Sequence, residues 1–226
     1  QRQMCIRDRL RFCALLLTVS SAQAAIPIQH WTHASGARVY LVESPAIPML
    51  DLRIDVDGGS RRDPAAQTGL ASITAGLLTS GTAAHDGSPA LDENQVAEAW
   101  ADLGASFGAD ASGERLSLSL RTLTRPDLLE RSVALAVRQM AAPAWSEAVW
   151  QRDRQRMVAA WQEAQTRPTT HAGRAFTEAV YGPHPLGREA TPQTLAAIDT
   201  AAMRDFYRRH VVAVSYTHLR AHETSL

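Results

Sequence analysis

The chain has 226 residues, and its 23 basic residues are balanced by 23 acidic ones. That is long enough to bury a substantial core, and the zero net charge gives no broad field to draw nucleic acid or an anionic membrane surface. Every basic residue is arginine and alanine is abundant, which points to GC-rich codon usage and a bacterial source. Cys5 and Cys13 are the two cysteines, so the chain beyond them has neither a disulfide nor a thiolate ligand.

In chain order, Arg7, Arg9 and Arg11 precede the apolar run "FCALLLTV", and the small-residue site "AQA" ends at Ala24. This layout predicts a secretory signal peptide over residues 1–24 and export to a periplasm. The run is far below the roughly 20 apolar residues that span a bilayer, so no membrane anchor is expected. "QMCIRDR" near the start and "VSYTHLRAHETSL" at the finish look like translated sequencing adaptor, and residues 213–226 are set aside on that ground. His218 and His222, with Glu223 beside them, have a metal-chelating spacing for a helix, but they fall in this tail and carry no weight.

Period-two alternation predicts strands in "ARVYLVE", in "LDLRIDVD" (50–57) and in "RLSLSLRT" (115–122). Gly58 and Gly59 end the second of these, and Asp63 with Pro64 is placed to open a helix containing "GLASITAGLLTSGT", which Gly81 closes. In that helix Leu70, Ile73, Leu77 and Leu78 form one apolar face. Opposite them stand Ala71, Ser72, Ala75, Gly76 and Thr79, none a strong metal ligand. A helix over 92–103 follows, with Asp92 as N-cap, and then a hairpin turning at Ser112 and Gly113. Beyond Pro126 the stripes Leu128, Leu129, Val133, Ala136, Val137, Met140 and Trp150, Met157, Val158, Trp161 predict two amphipathic helices. Thr191 and Thr200 are N-caps for a last pair ending near Arg209. The expected fold is α+β: a two-layer domain over 25–212, with helices packed on one face of a mainly antiparallel sheet.

Several residues have plain structural explanations. His30 and His33 belong to a surface or first-strand position, and His85 and His171 to exposed polar stretches. His184 in "YGPHP" is expected to bond backbone, and "QRDRQRM" to be a solvated helix face. Ser72 has no base nearby in sequence. Trp145, Trp150 and Trp161 are expected in the core or at a subunit contact.

The order of "GARVYLVE", "VDGGSRRDPAAQTGLA", "LLTSGT", "ADLGASFGADASGERLSLSL", "AAPAWSEAVWQRDRQRMVAA", "AVYGPHPLGREATPQTLAAI" and "MRDFYRRH" resembles the N-terminal domain of the M16 metallopeptidases, the pitrilysin, insulinase and mitochondrial processing peptidase family. The resemblance runs from about Ile28 to Val212 and implies one domain of a type usually duplicated and paired into a clamshell around an unfolded peptide. Active members carry His-x-x-Glu-His on the helix after the glycine-rich turn, with two zinc ligands and a general base on one face. Laid onto this sequence the motif falls on Ser72, Ala75 and Gly76. The family's third ligand, a glutamate about eight residues before a proline, falls on Ala160. Asp153 stands near a second family glutamate, and Glu163 is an alternative ligand if the alignment shifts.

The resemblance therefore implies a degenerate member without its own zinc or catalytic residues, paired with an active, zinc-bearing M16 subunit and helping to hold extended peptide. Two other readings are an active exported metallopeptidase with ligands outside this fragment, and a free-standing peptide-binding module.

Overall fold

The computed structural model describes residues 27–44 and 47–211, together with the backbone course of 216–223. The expected leader (1–24) lies outside the described residues. Six strands form one sheet: β1 (Ile28–Thr32), β2 (Arg38–Glu43), β3 (Met49–Val56), β4 (Ser106–Ala111), β5 (Leu116–Leu123) and β6 (Tyr216–Glu223). Their spatial order is β1-β2-β6-β3-β5-β4. Every pairing is antiparallel except β2 with β6, so the sheet is mainly antiparallel.

Tyr216–Glu223, within the adaptor-like tail, thus runs as a strand between β2 and β3. Ladder bonds are made by backbone groups that every residue but proline carries, so this position asks for little of its sequence. The helical spacing of His218 and His222 does not apply there, since four strand residues span about 13 Å.

Alternation in β3 and β5 builds the two faces. Leu52, Ile54 and Val56 point with Leu116, Leu118 and Leu120 toward the helices. Asp51, Arg53, Asp55, Ser117 and Arg121 form a polar network on the other face. Register places Asp51 opposite Arg121 and Asp55 opposite Ser117; Arg121 donates to Asp51 at 2.6 Å, and both Ser117 Oγ (2.6 Å) and Arg53 Nε (2.8 Å) donate to Asp55.

Among the described residues there are seven α-helices: α1 (Leu70–Leu78), α2 (Glu93–Asp102), α3 (Pro126–Ala141), α4 (Glu147–Ala164), α5 (Pro168–Tyr181), α6 (Pro192–Ala196) and α7 (Thr200–His210). Helix α1 lies against β4, β5 and α7. It buries Leu70, Ile73, Leu77 and Leu78 in a core shared with Trp150, Leu195, Ile198, Met203 and Phe206. A second cluster joins Val96 and Trp100 of α2 to Leu120 and Ala136. Each fully buried leucine or phenylalanine contributes about 1.5–3 kcal/mol.

Local rules explain most helix ends, with two corrections, and one stripe is turned. Asp92 caps α2 in a reciprocal capping box with Gln95, and Thr191 does the same for α6 with Thr194. Helix α7 is capped by Asp199 rather than Thr200, because a carboxylate one residue earlier reaches the Ala202 N–H at 2.7 Å. Helix α1 starts at Leu70, not at Pro64, after two 3-10 turns, Ser60–Arg62 and Ala65–Gln67. On α3 the buried face holds Ser132, Ala136 and Gln139, while Val133 and Val137 are exposed. The stripe is turned because Trp100 Nε1 donates to Gln139 Oε1 at 2.7 Å, making a polar side chain an integral part of the core.

Candidate functional site

The site to be tested is the outer face of α1, and the local chain fixes that helix firmly. At Gly59 an added Cβ would stand 2.3 Å from the backbone carbon of Glu114, so the glycine lets the turn after β3 lie directly on the β4–β5 hairpin. Ser60 N–H then donates to Ser112 O and Arg61 N–H to Gly113 O, both at 2.9 Å. Asp57 receives the Arg61 and Arg62 side chains on the same turn, and Arg62 as hydrogen-bond donor holds the Asp57 carboxyl down to about 2.

Asp63 follows. Its carboxylate is buried and accepts from the Gly69 N–H at 2.8 Å and the Ala71 N–H at 2.9 Å, at the positive end of α1 where a carboxylate is favoured. Burial raises its carboxyl pKa, opposed by these backbone donors and by the charge of Arg188. Gly69, at φ +107°, enters the helix from the left-handed region, and a Cβ there would meet the Ala190 side chain at 3.1 Å.

The inward face of α1 is apolar as its spacing predicts. Ser72 and Gly76 are exposed, side by side at i and i+4, but Ala71 and Ala75, expected opposite the apolar face, are buried at 0% and 1% exposure, because the core wraps further round the helix than the leucine stripe. A Cβ built on Gly76 finds no atom within 4 Å, so nothing has grown into that side of the helix. Thr74, fully buried, has no hydrogen-bond partner for its hydroxyl among the described residues.

Ala160 is exposed on α4. Asp153 is engaged by arginines of its own helix, Arg152 at 3.0 Å and Arg156 at 3.5 Å. Glu163 pairs with Arg167. No group of three or more His, Cys, Asp or Glu that could hold a metal ion occurs among the described residues. A three-ligand zinc site needs imidazole or carboxylate at these positions; one hydroxyl, two methyl groups and a glycine do not fit it.

The other singled-out residues separate by environment. His30 lies on exposed β1, and His33 follows it with Nδ1 2.9 Å from Ser35 Oγ. His85 stands 3.3 Å from Asp86. His184 Nδ1 accepts from the Leu186 N–H at 3.2 Å, the backbone role expected of it. His171 Nε2 donates to Gln165 O at 2.7 Å. Trp145 and Trp150 are buried, and Trp150 Nε1 donates to Ile198 O at 3.1 Å. Trp161 is half-buried beneath the Arg174 guanidinium, 5.3 Å from its ring. Arg152 of "QRDRQRM" is tied to Glu93 of α2 at 2.8 Å, a tertiary bridge within a run expected to be merely solvated.

Two features were not legible from sequence. One is the place of β4, which pairs with β5 as the expected hairpin and forms the sheet edge beside α1. The other is that α5 has no buried residue at all, although its apolar spacing is that of a core helix.

Comparison with known proteins gives these features a family. The family model described as insulinase, peptidase family M16, matches residues 38–192, well over half of the chain. No curated protein matches the sequence. Among solved structures, the chain is similar to a peptidase M16 inactive domain from Pseudomonas fluorescens, at 26% identity and TM-score 0.79, covering 88% of this chain and 47% of that one. It also shares its fold with the periplasmic protease PqqL from Escherichia coli, at 17% identity and TM-score 0.74, covering 89% of this chain and 22% of that one. Pitrilysin gives 21% identity and TM-score 0.68, with 88% and 21% covered. The chain therefore spans about half the length of the first of these structures and about a fifth of the other two. No helix of the described residues is long and apolar enough to cross a membrane. With the M16 order of strands and helices, and a family match across most of its folded length, the chain belongs to the M16 (insulinase) family of peptidases.

Proposed function

We propose that this chain is a non-catalytic M16 subunit that pairs with an active, zinc-bearing homologue and supplies part of the wall of a peptide-binding chamber. The observation that carries the reading is the outer face of α1. Its helix is held in place by Asp63 and a full apolar stripe; in the motif alignment the exposed Ser72 and Gly76 fall at the two ligand positions and the buried Ala75 at that of the base. Similarity to a structure described as an M16 inactive domain supports the same reading. The free edge of β4, beside that helix, offers unpaired backbone groups to an extended peptide, the usual mode of strand addition. Its Phe107, Ala109 and Ala111 face the core, leaving the edge backbone as the element a peptide would read. The signal-peptide-like layout of residues 1–24 and the likeness to PqqL, described as periplasmic, support export to a periplasm.

The test is metal content and peptide cleavage by the purified chain, alone and after addition of an M16 homologue carrying His-x-x-Glu-His encoded beside it. Zinc-free protein that cleaves nothing alone, and that raises the homologue's activity on extended peptides, is the expected result. One zinc per chain with cleavage by the chain alone would instead establish a self-sufficient metallopeptidase.

A further inference from the structure

Helix α5 is amphipathic in the reverse sense for its own domain. Thr170, Arg174 and Thr177, spaced at i, i+4 and i+7, are its half-buried positions, whereas Ala172, Ala175, Phe176, Ala179 and Val180 are exposed. Phe176 is 69% exposed, Val180 55% and Tyr181 45%, with Leu186 of the following 3-10 turn at 37%. The polar side is what attaches the helix. Arg174 bridges to Glu189 at 2.8 Å, donates to Gln165 Oε1 at 2.5 Å and covers the Trp161 ring. The apolar stripe is thereby turned outward. A 14-residue helix draws little stability from propensity alone, and an apolar stripe of this kind on a soluble protein marks a surface made for contact.

From this geometry we infer that the outward face of α5 is the docking surface for the companion M16 domain of the pairing proposed above, on which this inference rests. Two observations select that occupant. The matched region makes up only 47% of the Pseudomonas fluorescens chain and 22% of PqqL, so in those chains such a domain is joined to at least as much polypeptide again. The stripe also has the form of a helix-packing seam. Ala172, Ala175 and Ala179 are small enough for another backbone to approach closely, and Phe176 and Val180 are the ridge that a facing groove would receive. A large aromatic at the centre of such a patch is the type of residue that dominates association energy.

The experiment compares wild type with Phe176→Glu/Val180→Asp, first for melting temperature alone and then for binding to the His-x-x-Glu-His homologue. Both side chains are exposed, so the isolated variant melts like wild type. Its affinity for the homologue falls by about tenfold to a hundredfold. Equal binding by variant and wild type overturns the inference and leaves the pairing intact. Failure of wild type itself to bind overturns the pairing and this inference with it. Self-association of wild type that the substitutions abolish, measured by sedimentation, overturns the assigned occupant in favour of a second copy of the chain.

Discussion

Helices α1 and α5 have similar-looking sequences and opposite uses. Each carries an apolar stripe at helical spacing, but α1 turns its stripe into the core and shows small residues to solvent, whereas α5 turns threonines and an arginine inward and shows phenylalanine and valine outward. The difference comes from what anchors each helix. Asp63 and the sheet hold α1 by its start and its apolar side; Glu189, Gln165 and Trp161 hold α5 by Arg174. Periodicity gives the width of an apolar face and says nothing about which body covers it.

The contrast is sharpest in paired truncations. Leu78→Ala, at a fully buried position of α1, is expected to cost about 2–5 kcal/mol, whereas Phe176→Ala on α5 should change the isolated chain's stability by less than about 0.5 kcal/mol. Urea unfolding of both variants decides this, and equal losses would erase the distinction drawn between the helices. A smaller effect is expected at the start of α1. Asp63→Ala leaves the Gly69 and Ala71 N–H groups without their acceptor, at a cost of about 1–2 kcal/mol, and speeds hydrogen exchange in the first turn of α1 while leaving α5 unchanged. In the opposite direction, Thr74→Val keeps the shape of the side chain and removes its unpartnered buried hydroxyl; a gain of about 1 kcal/mol is expected by the same denaturation assay.

The smallest effect is one of pH, at the far end of α7. His210 donates through Nδ1 to Asp57 O at 3.1 Å, and burial lowers its pKa from 6.5. A histidine with a lowered folded-state pKa binds fewer protons folded than unfolded. Its contribution is therefore complete above pH 6.5 and is lost as pH falls from there toward the folded-state value. His210→Gln should flatten the fall in stability between about pH 7 and pH 5; an unchanged slope would assign that fall to other groups.

The sequence made the sheet legible because β3 and β5 alternate cleanly and each has one buried face. It made α1 legible for a similar reason: the stripe of Leu70, Ile73, Leu77 and Leu78 meets its own core. The failures share a cause. Gln139 turns α3 because its partner Trp100 lies 39 residues away in sequence, and Arg174 turns α5 because Glu189 and Trp161 receive it. Asp63 caps a helix beginning seven residues later, across an intervening 3-10 turn, beyond the reach of a local capping rule. Three of the candidate positions, Ser72, Ala75 and Gly76, share one helix, whereas Ala160 lies on α4. The relation of the site to the β4 edge is a matter of sheet order, which chain order does not encode.

The mooring of α1 by Asp63 has one more consequence. In a metal site whose ligands come from two helices, the ion is also a cross-link, and its removal loosens both. Here the clasp is a carboxylate of the chain itself, aimed at backbone donors. Chelators should therefore leave the melting temperature of this domain where it was, and a fall on chelation would show that the domain does hold a metal ion.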